Sequence, residues 1–118
     1  VLIWPLVDSW EAAMAWWILL AASAVEIVMA LALKYADGWT RFWPSAIGIA
    51  AALGSIFLLT LAMRHLPAGT AYAVWTGIGS VGITVLGIVL FGDSPSAARL
   101  ACIALIVGGV AGLKLLEA

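Results

Sequence analysis

The sequence predicts an all-α membrane protein of four transmembrane helices. Two observations carry this. Of 118 residues, 66% are hydrophobic and 9% charged, with a mean hydropathy of +1.21; soluble domains run nearer 45–50% apolar and about 25% charged. The apolar residues also gather into four stretches of about 20, the length that crosses a hydrocarbon layer of about 30 Å. Short breaks rich in Gly, Pro, Asp and basic residues separate them.

Residues 1–13, VLIWPLVDSWEAA, stand apart. They hold Pro5, Asp8 and Glu11 and no positive charge. The run Val1–Val7 is too short to span, and the lack of a basic leading region argues against a signal peptide. A disordered or interfacial extension is expected, with Met14-Ala15-Trp16 reading like a natural start. Residues 14–118 form one four-helix transmembrane domain.

The first helix is expected from about Ala15 to Lys34, with Trp16 and Trp17 where an aromatic belt lies and Asp37-Gly38 as the turn that ends it. The second runs from about Pro44, a good first-turn residue, to Met63, with Arg64 and His65 at the interface. Leu66-Pro67-Ala68-Gly69 is the next turn, and Thr70 is a plausible N-cap. The third helix, about Ala71 to Phe91, carries no charge. The fourth, about 96–116, follows Gly92-Asp93-Ser94-Pro95, with Ser94 as the expected cap. Arg99 and Lys114 lie near its ends and can snorkel to headgroups.

An even number of spans puts both termini on one side. Arg64 and Lys114 lie there, against Lys34, Arg41 and Arg99 on the other. Orientation follows the Lys/Arg bias of short loops, and this bias is nearly absent. Such a chain can insert both ways, and two opposite copies can pair as an antiparallel dual-topology dimer. Larger transporters obtain the same inverted relation from internal repeats. The fourth helix offers a surface for pairing: Ala97, Ala101, Ala104, Gly108 and Gly112 recur every three or four residues, and Gly108 and Gly112 form a GxxxG pair.

Glu26 is the residue that needs a reason. It sits in the middle of LLAASAVEIVMALALK, with its nearest charged neighbours at Glu11 and Lys34. A charge at a membrane-helix centre costs roughly 2.5–3.5 kcal/mol on insertion scales and usually marks function. Ala22, Ser23, Met29, Ala30 and Leu33 share its face, and the small ones leave room beside it. Low dielectric disfavours a carboxylate's charged form, whereas a nearby cation favours it. One such group can therefore hold a proton or a cation in turn, a sufficient basis for antiport. The bland alternative is a protonated Glu bonding a neighbouring helix.

Tyr72, Trp75 and Thr76 share a face near the start of helix 3. Aromatic faces attract cations, but rings so close to a helix end also anchor at the interface, and position alone favours the anchor. Gly77, Gly79, Gly82 and Gly87 follow, and Gly77-Ile78-Gly79 is the expected bend. Ser55, in mid-helix 2, could support a carboxylate or simply bond its own backbone. His65 reads as interfacial. The single Cys102 excludes an intrachain disulfide. No cluster has metal-ligand spacing, no nucleophile–base–acid set exists, and a net charge of -1 gives no basic field for nucleic acid. An enzyme is not expected.

These residues resemble the small multidrug resistance family, four-helix exporters that work as antiparallel dimers. The resemblance covers about Met14 to Leu116. LPAGTAYAVWTGIG, Leu66 to Gly79, is its most specific part, supported by the AVEIV context of Glu26. KYADGWTRFWPS, Lys34 to Ser45, and GGVAGLK, Gly108 to Lys114, are most similar to the guanidinium-exporter subtype. The resemblance implies that Glu26 binds protons and substrate in turn. It implies that Ser55, Tyr72 and Trp75 belong to the binding-site network, that Gly77 and Gly79 flank a conformational hinge, and that Ala101, Ala104, Gly108 and Gly112 lie on the dimerising helix. Protons would be the coupling ion, without a cofactor, in a bacterial inner membrane. One residue departs: guanidinium exporters usually have Trp one turn after the glutamate, and here it is Met29. A polyspecific quaternary-ammonium exporter, or one subunit of a heterodimeric transporter, is the alternative.

Overall fold

The structure, a computed structural model, describes residues 9–117. It contains four helices: α1 (Ser9–Tyr35), α2 (Phe42–Ala62), α3 (Ala68–Phe91) and α4 (Ala97–Glu117). Each is long and apolar enough to cross a membrane, and the protein is a multi-pass membrane protein. The helices bond their backbone polar groups internally, as a segment in hydrocarbon must.

α1 is the middle of the arrangement. It packs along both α2 and α3, whereas the backbone of α4 approaches α3 alone. The buried core is small and made mostly of short side chains: Ala15, Leu19 and Ala22 of α1 meet Leu59, Ala62, Leu66, Ala71 and Val74. Small residues let membrane helices approach closely, which is where their packing energy comes from. Large side chains such as Trp17, Phe42, Leu53 and Leu105 face outward, as lipid-facing residues do. The Cα atoms span 52 × 35 × 17 Å, so the subunit is close to a single layer of helices.

The helix ends confirm the side-by-side topology. At one end the Tyr35 and Phe91 rings lie 5.4 Å apart and Lys34 Nζ stands 5.7 Å from the Phe91 ring. At the other, His65 Nδ1 is 3.8 Å from Glu11 Oε2 and Lys114 Nζ is 4.9 Å from the Trp16 ring.

Several boundaries differ from the sequence reading, each for a local reason. α1 starts at Ser9 rather than Ala15, so residues 9–13 are helical and continue α1; residues 1–8 of the expected extension lie outside the described residues. The turn after α1 takes three left-handed residues, Asp37 (φ 49°), Gly38 (φ 66°) and Trp39 (φ 71°). Asp and Gly tolerate this conformation, whereas Trp39 is held there by a closed loop. Thr40 and Arg41 both donate backbone N–H to Ala36 O, at 3.0 and 3.2 Å, and Thr40 Oγ1 donates to Asp37 O at 2.8 Å. Thr70 is not the cap of α3. The helix begins after Pro67, and Thr70 is buried in its first turn. Ser94 does not cap α4 either: Ser96 Oγ accepts from Arg99 N–H at 3.2 Å, the three-residue reach of an N-cap.

Candidate functional site

The site is built where α1, α2 and α3 face one another at mid-membrane depth. Its centre is Glu26, half-buried on α1. Its Oε2 is buried and has no hydrogen-bond partner. Neither α2 nor α3 contains an Asp, Glu, Lys, Arg or His, so no countercharge of the subunit's own lies on the packed helices. Buried polar atoms normally find partners, and an exception calls for a reason.

Ser55 joins the three helices. Its hydroxyl donates to the Ala22 carbonyl of α1 at 2.7 Å and accepts from the Trp75 indole N–H of α3 at 2.8 Å. Ala22 lies one turn before Glu26 on the same face. Ser55 therefore does not bond its own helix, nor does it bond the carboxylate; it fixes Trp75 beside the turn that carries Glu26. Ser23, also buried, donates to Leu19 O of its own helix at 2.8 Å and so adds no link.

Tyr72 packs on Trp75 with ring centroids 5.5 Å apart and is 56% exposed. The pair makes an aromatic wall with one ring fixed and one at the edge. Met29 is half-buried one turn beyond Glu26. A rigid wall and a carboxylate at one depth can hold a flat cation by charge and ring face together.

α3 is helical without interruption from Ala68 to Phe91, and its glycines give neighbouring groups room. A methyl group at Gly79 would stand 2.5 Å from Glu26 Oε2, and one at Gly77 would stand 2.8 Å from Val110 Cγ2 of α4. A methyl at Gly82 would overlap the end of the Ile27 side chain. An apolar cavity of about 490 Å³ lies between α1, α3 and α4, bordered by Trp16, Ile27, Val81, Val107 and Lys114. Glu26 does not line it.

α4 presents Ala101, Ala104 and Gly108 as exposed residues and Gly112 as half-buried. Ile106 and Val110, which meet α3 at Gly77, lie on another face. Among the described residues no group of His, Cys, Asp or Glu could hold a metal ion.

The structure thus brings Glu26, Ser55, Trp75, Tyr72 and Gly79 into one region, with Met29 at its edge and Gly77 turned to α4. The Ala22 carbonyl is the participant that sequence reasoning missed. Its signal was weak: a small residue one turn before the acid, which any close helix contact would also explain.

Residues 14–106 match the family model described as Small Multidrug Resistance protein. Curated relatives include a "Guanidinium exporter" of Citrobacter freundii, 57% identical over 102 residues, covering 86% of this chain and 97% of that one. Others with that name are from Yersinia pestis, 55% identical over 86% of this chain and 98% of that one, and from Proteus vulgaris, 53% identical with the same coverage. With the model matching most of the chain and relatives aligned almost end to end, the chain belongs to the small multidrug resistance protein family.

Proposed function

We propose that the protein exports guanidinium-type cations across a bacterial inner membrane in exchange for protons, working as an antiparallel pair of identical subunits. The observation that carries this is Glu26: a mid-span carboxylate with a buried, unpartnered oxygen and no basic residue on the helices packed around it. A proton or an external cation supplies what the subunit lacks. A planar guanidinium suits the site because it forms paired charge-assisted hydrogen bonds with a carboxylate, and Trp75, fixed by Ser55, offers a ring face. The relatives' shared name supports the same substrate.

Protons and guanidinium compete for one carboxylate, so loading of one expels the other. The near-absence of loop charge bias and the single-layer shape of the subunit support pairing of two opposite copies, with Glu26 of each lining a shared midplane site. The exposed small residues of α4 support that helix as the pairing surface.

Met29 favours a second reading, a polyspecific exporter of quaternary ammonium and aromatic cations. Met is flexible and polarizable and has no N–H to donate. Currents from liposomes holding the wild type or Met29→Trp separate the two. Guanidinium export predicts proton-coupled current with guanidinium in the wild type, exceeding that with tetra-alkylammonium. A larger tetra-alkylammonium current that Met29→Trp reverses supports the second reading. Guanidinium movement without proton counterflow overturns the exchange mechanism.

A further inference from the structure

We infer that Gly79 is the positioning residue for Glu26: the space left by its missing side chain is the seat in which the carboxylate lies. The inference rests on the reading of Glu26 as the exchange group. A methyl built at Gly79 would stand 2.5 Å from Oε2, 2.6 Å from Cδ and 2.8 Å from Oε1. Real Cβ atoms essentially never approach another heavy atom that closely. All three atoms of the carboxylate are involved, so the whole group rests on the α3 backbone. The backbone N–H groups there are engaged in the helix, which is why Oε2 is buried against α3 yet unbonded.

Gly77 differs, although it lies in the same Gly-x-Gly pattern. Its neighbours are Val110 Cγ2 at 2.8 Å and Ile106 Cγ2 at 3.3 Å, both from α4. Gly77 admits α4, whereas Gly79 admits the carboxylate. No charged side chain of α2 or α3 could place Glu26 by attraction, and Tyr72 is the titratable residue those helices bring to this region. The placement is therefore steric: the glutamate side chain, which has three rotatable bonds, is confined by a gap of matching shape.

The test is a double-mutant cycle on the purified full-length protein. It reads thermal unfolding and the pH midpoint of proton release on adding guanidinium. Gly79→Ala pushes against the carboxylate, and Glu26→Asp withdraws that carboxylate by one methylene. The expected result is a destabilisation by Gly79→Ala that shrinks in the Glu26→Asp background, a non-additivity of about threefold or more in the unfolding equilibrium. Gly79→Ala also moves the pH midpoint. Additive effects in the cycle, or a fall in turnover with the midpoint unmoved and matched by Gly77→Ala, assign Gly79 to bending alone and overturn the seat. If Gly79→Ala fails to assemble, assembly restored by Glu26→Asp supports the seat, and failure in both backgrounds overturns it. A wild type that releases no protons on guanidinium addition contradicts the proposed exchange; the unfolding cycle then still decides the seat.

Discussion

The glycines of α3 and those of α4 are one residue type in two apolar helices, and they meet opposite surroundings. On α3, past the open Gly69 in its first turn, a neighbour enters each gap: Val110 at Gly77, the Glu26 carboxylate at Gly79, Ile27 at Gly82 and Asp93 at Gly87. On α4 nothing lies within 4 Å of where a side chain would begin at Gly108, Gly109 or Gly112. A small residue in a membrane helix contributes packing only when another surface moves into its space. The α3 glycines therefore serve the fold of one subunit. Those of α4 serve nothing within it, and α4 has no buried residue among those described. On the proposed function, the first three helices hold the chemistry and the fourth is left for assembly.

Three experiments can break or sharpen that division. The largest effect is expected from Glu26→Gln. It keeps the shape of the side chain and removes its charge. Proton-driven guanidinium uptake into liposomes should fall by at least about a hundredfold, in keeping with the roughly 3–5 kcal/mol lost when one partner of a buried ion pair is removed. Self-association, measured by crosslinking in detergent, should remain. Loss of both together would show that the site and the assembly surface are not separate. Next comes Gly108→Leu with Gly112→Leu. Bulk on the open face of α4 should weaken self-association about tenfold or more. Unchanged crosslinking would move the pairing surface elsewhere. The smallest effect is expected from Ser55→Ala, which leaves the Trp75 indole N–H unpaired in the packed region. That costs about 1–3 kcal/mol, read as a lower thermal midpoint. Adding Trp75→Phe removes the orphaned donor and should recover part of the loss. No recovery would mean that Ser55 acts through Ala22 alone.

Much of this division is legible in the sequence, because the bilayer simplifies the code. Length and apolarity place four spans, and the isolation of Glu26 marks the candidate site. What the sequence leaves open depends on which helix faces which. Ser55 is a mid-span serine by pattern; only the approach of α1 and α3 decides that it bonds Ala22 and Trp75 instead of its own backbone. Trp75 and Tyr72 lie three residues apart at a helix start, where pattern alone favours two interface anchors, yet one indole is tied inward and the other ring stays exposed. Boundaries fail for a related reason. Thr70 and Ser94 have good capping chemistry, but burial takes Thr70 into the first turn of α3, and the chain reaches α4 late enough for Ser96 to serve. Trp39 adopts a left-handed conformation that no propensity of Trp suggests; the loop closure onto Ala36 dictates it.

The Ser55 hydroxyl has one further consequence, which is mechanical. Its single hydrogen is committed to α1 and its oxygen holds α3, so one atom acts as a rivet through three helices. Riveted helices turn as one plate. If Glu26 is to face first one side of the membrane and then the other, the plate swings whole or the rivet opens. At the seam between α3 and α4, by contrast, apolar side chains make the contact, where Ile106 and Val110 of α4 ride over Gly77.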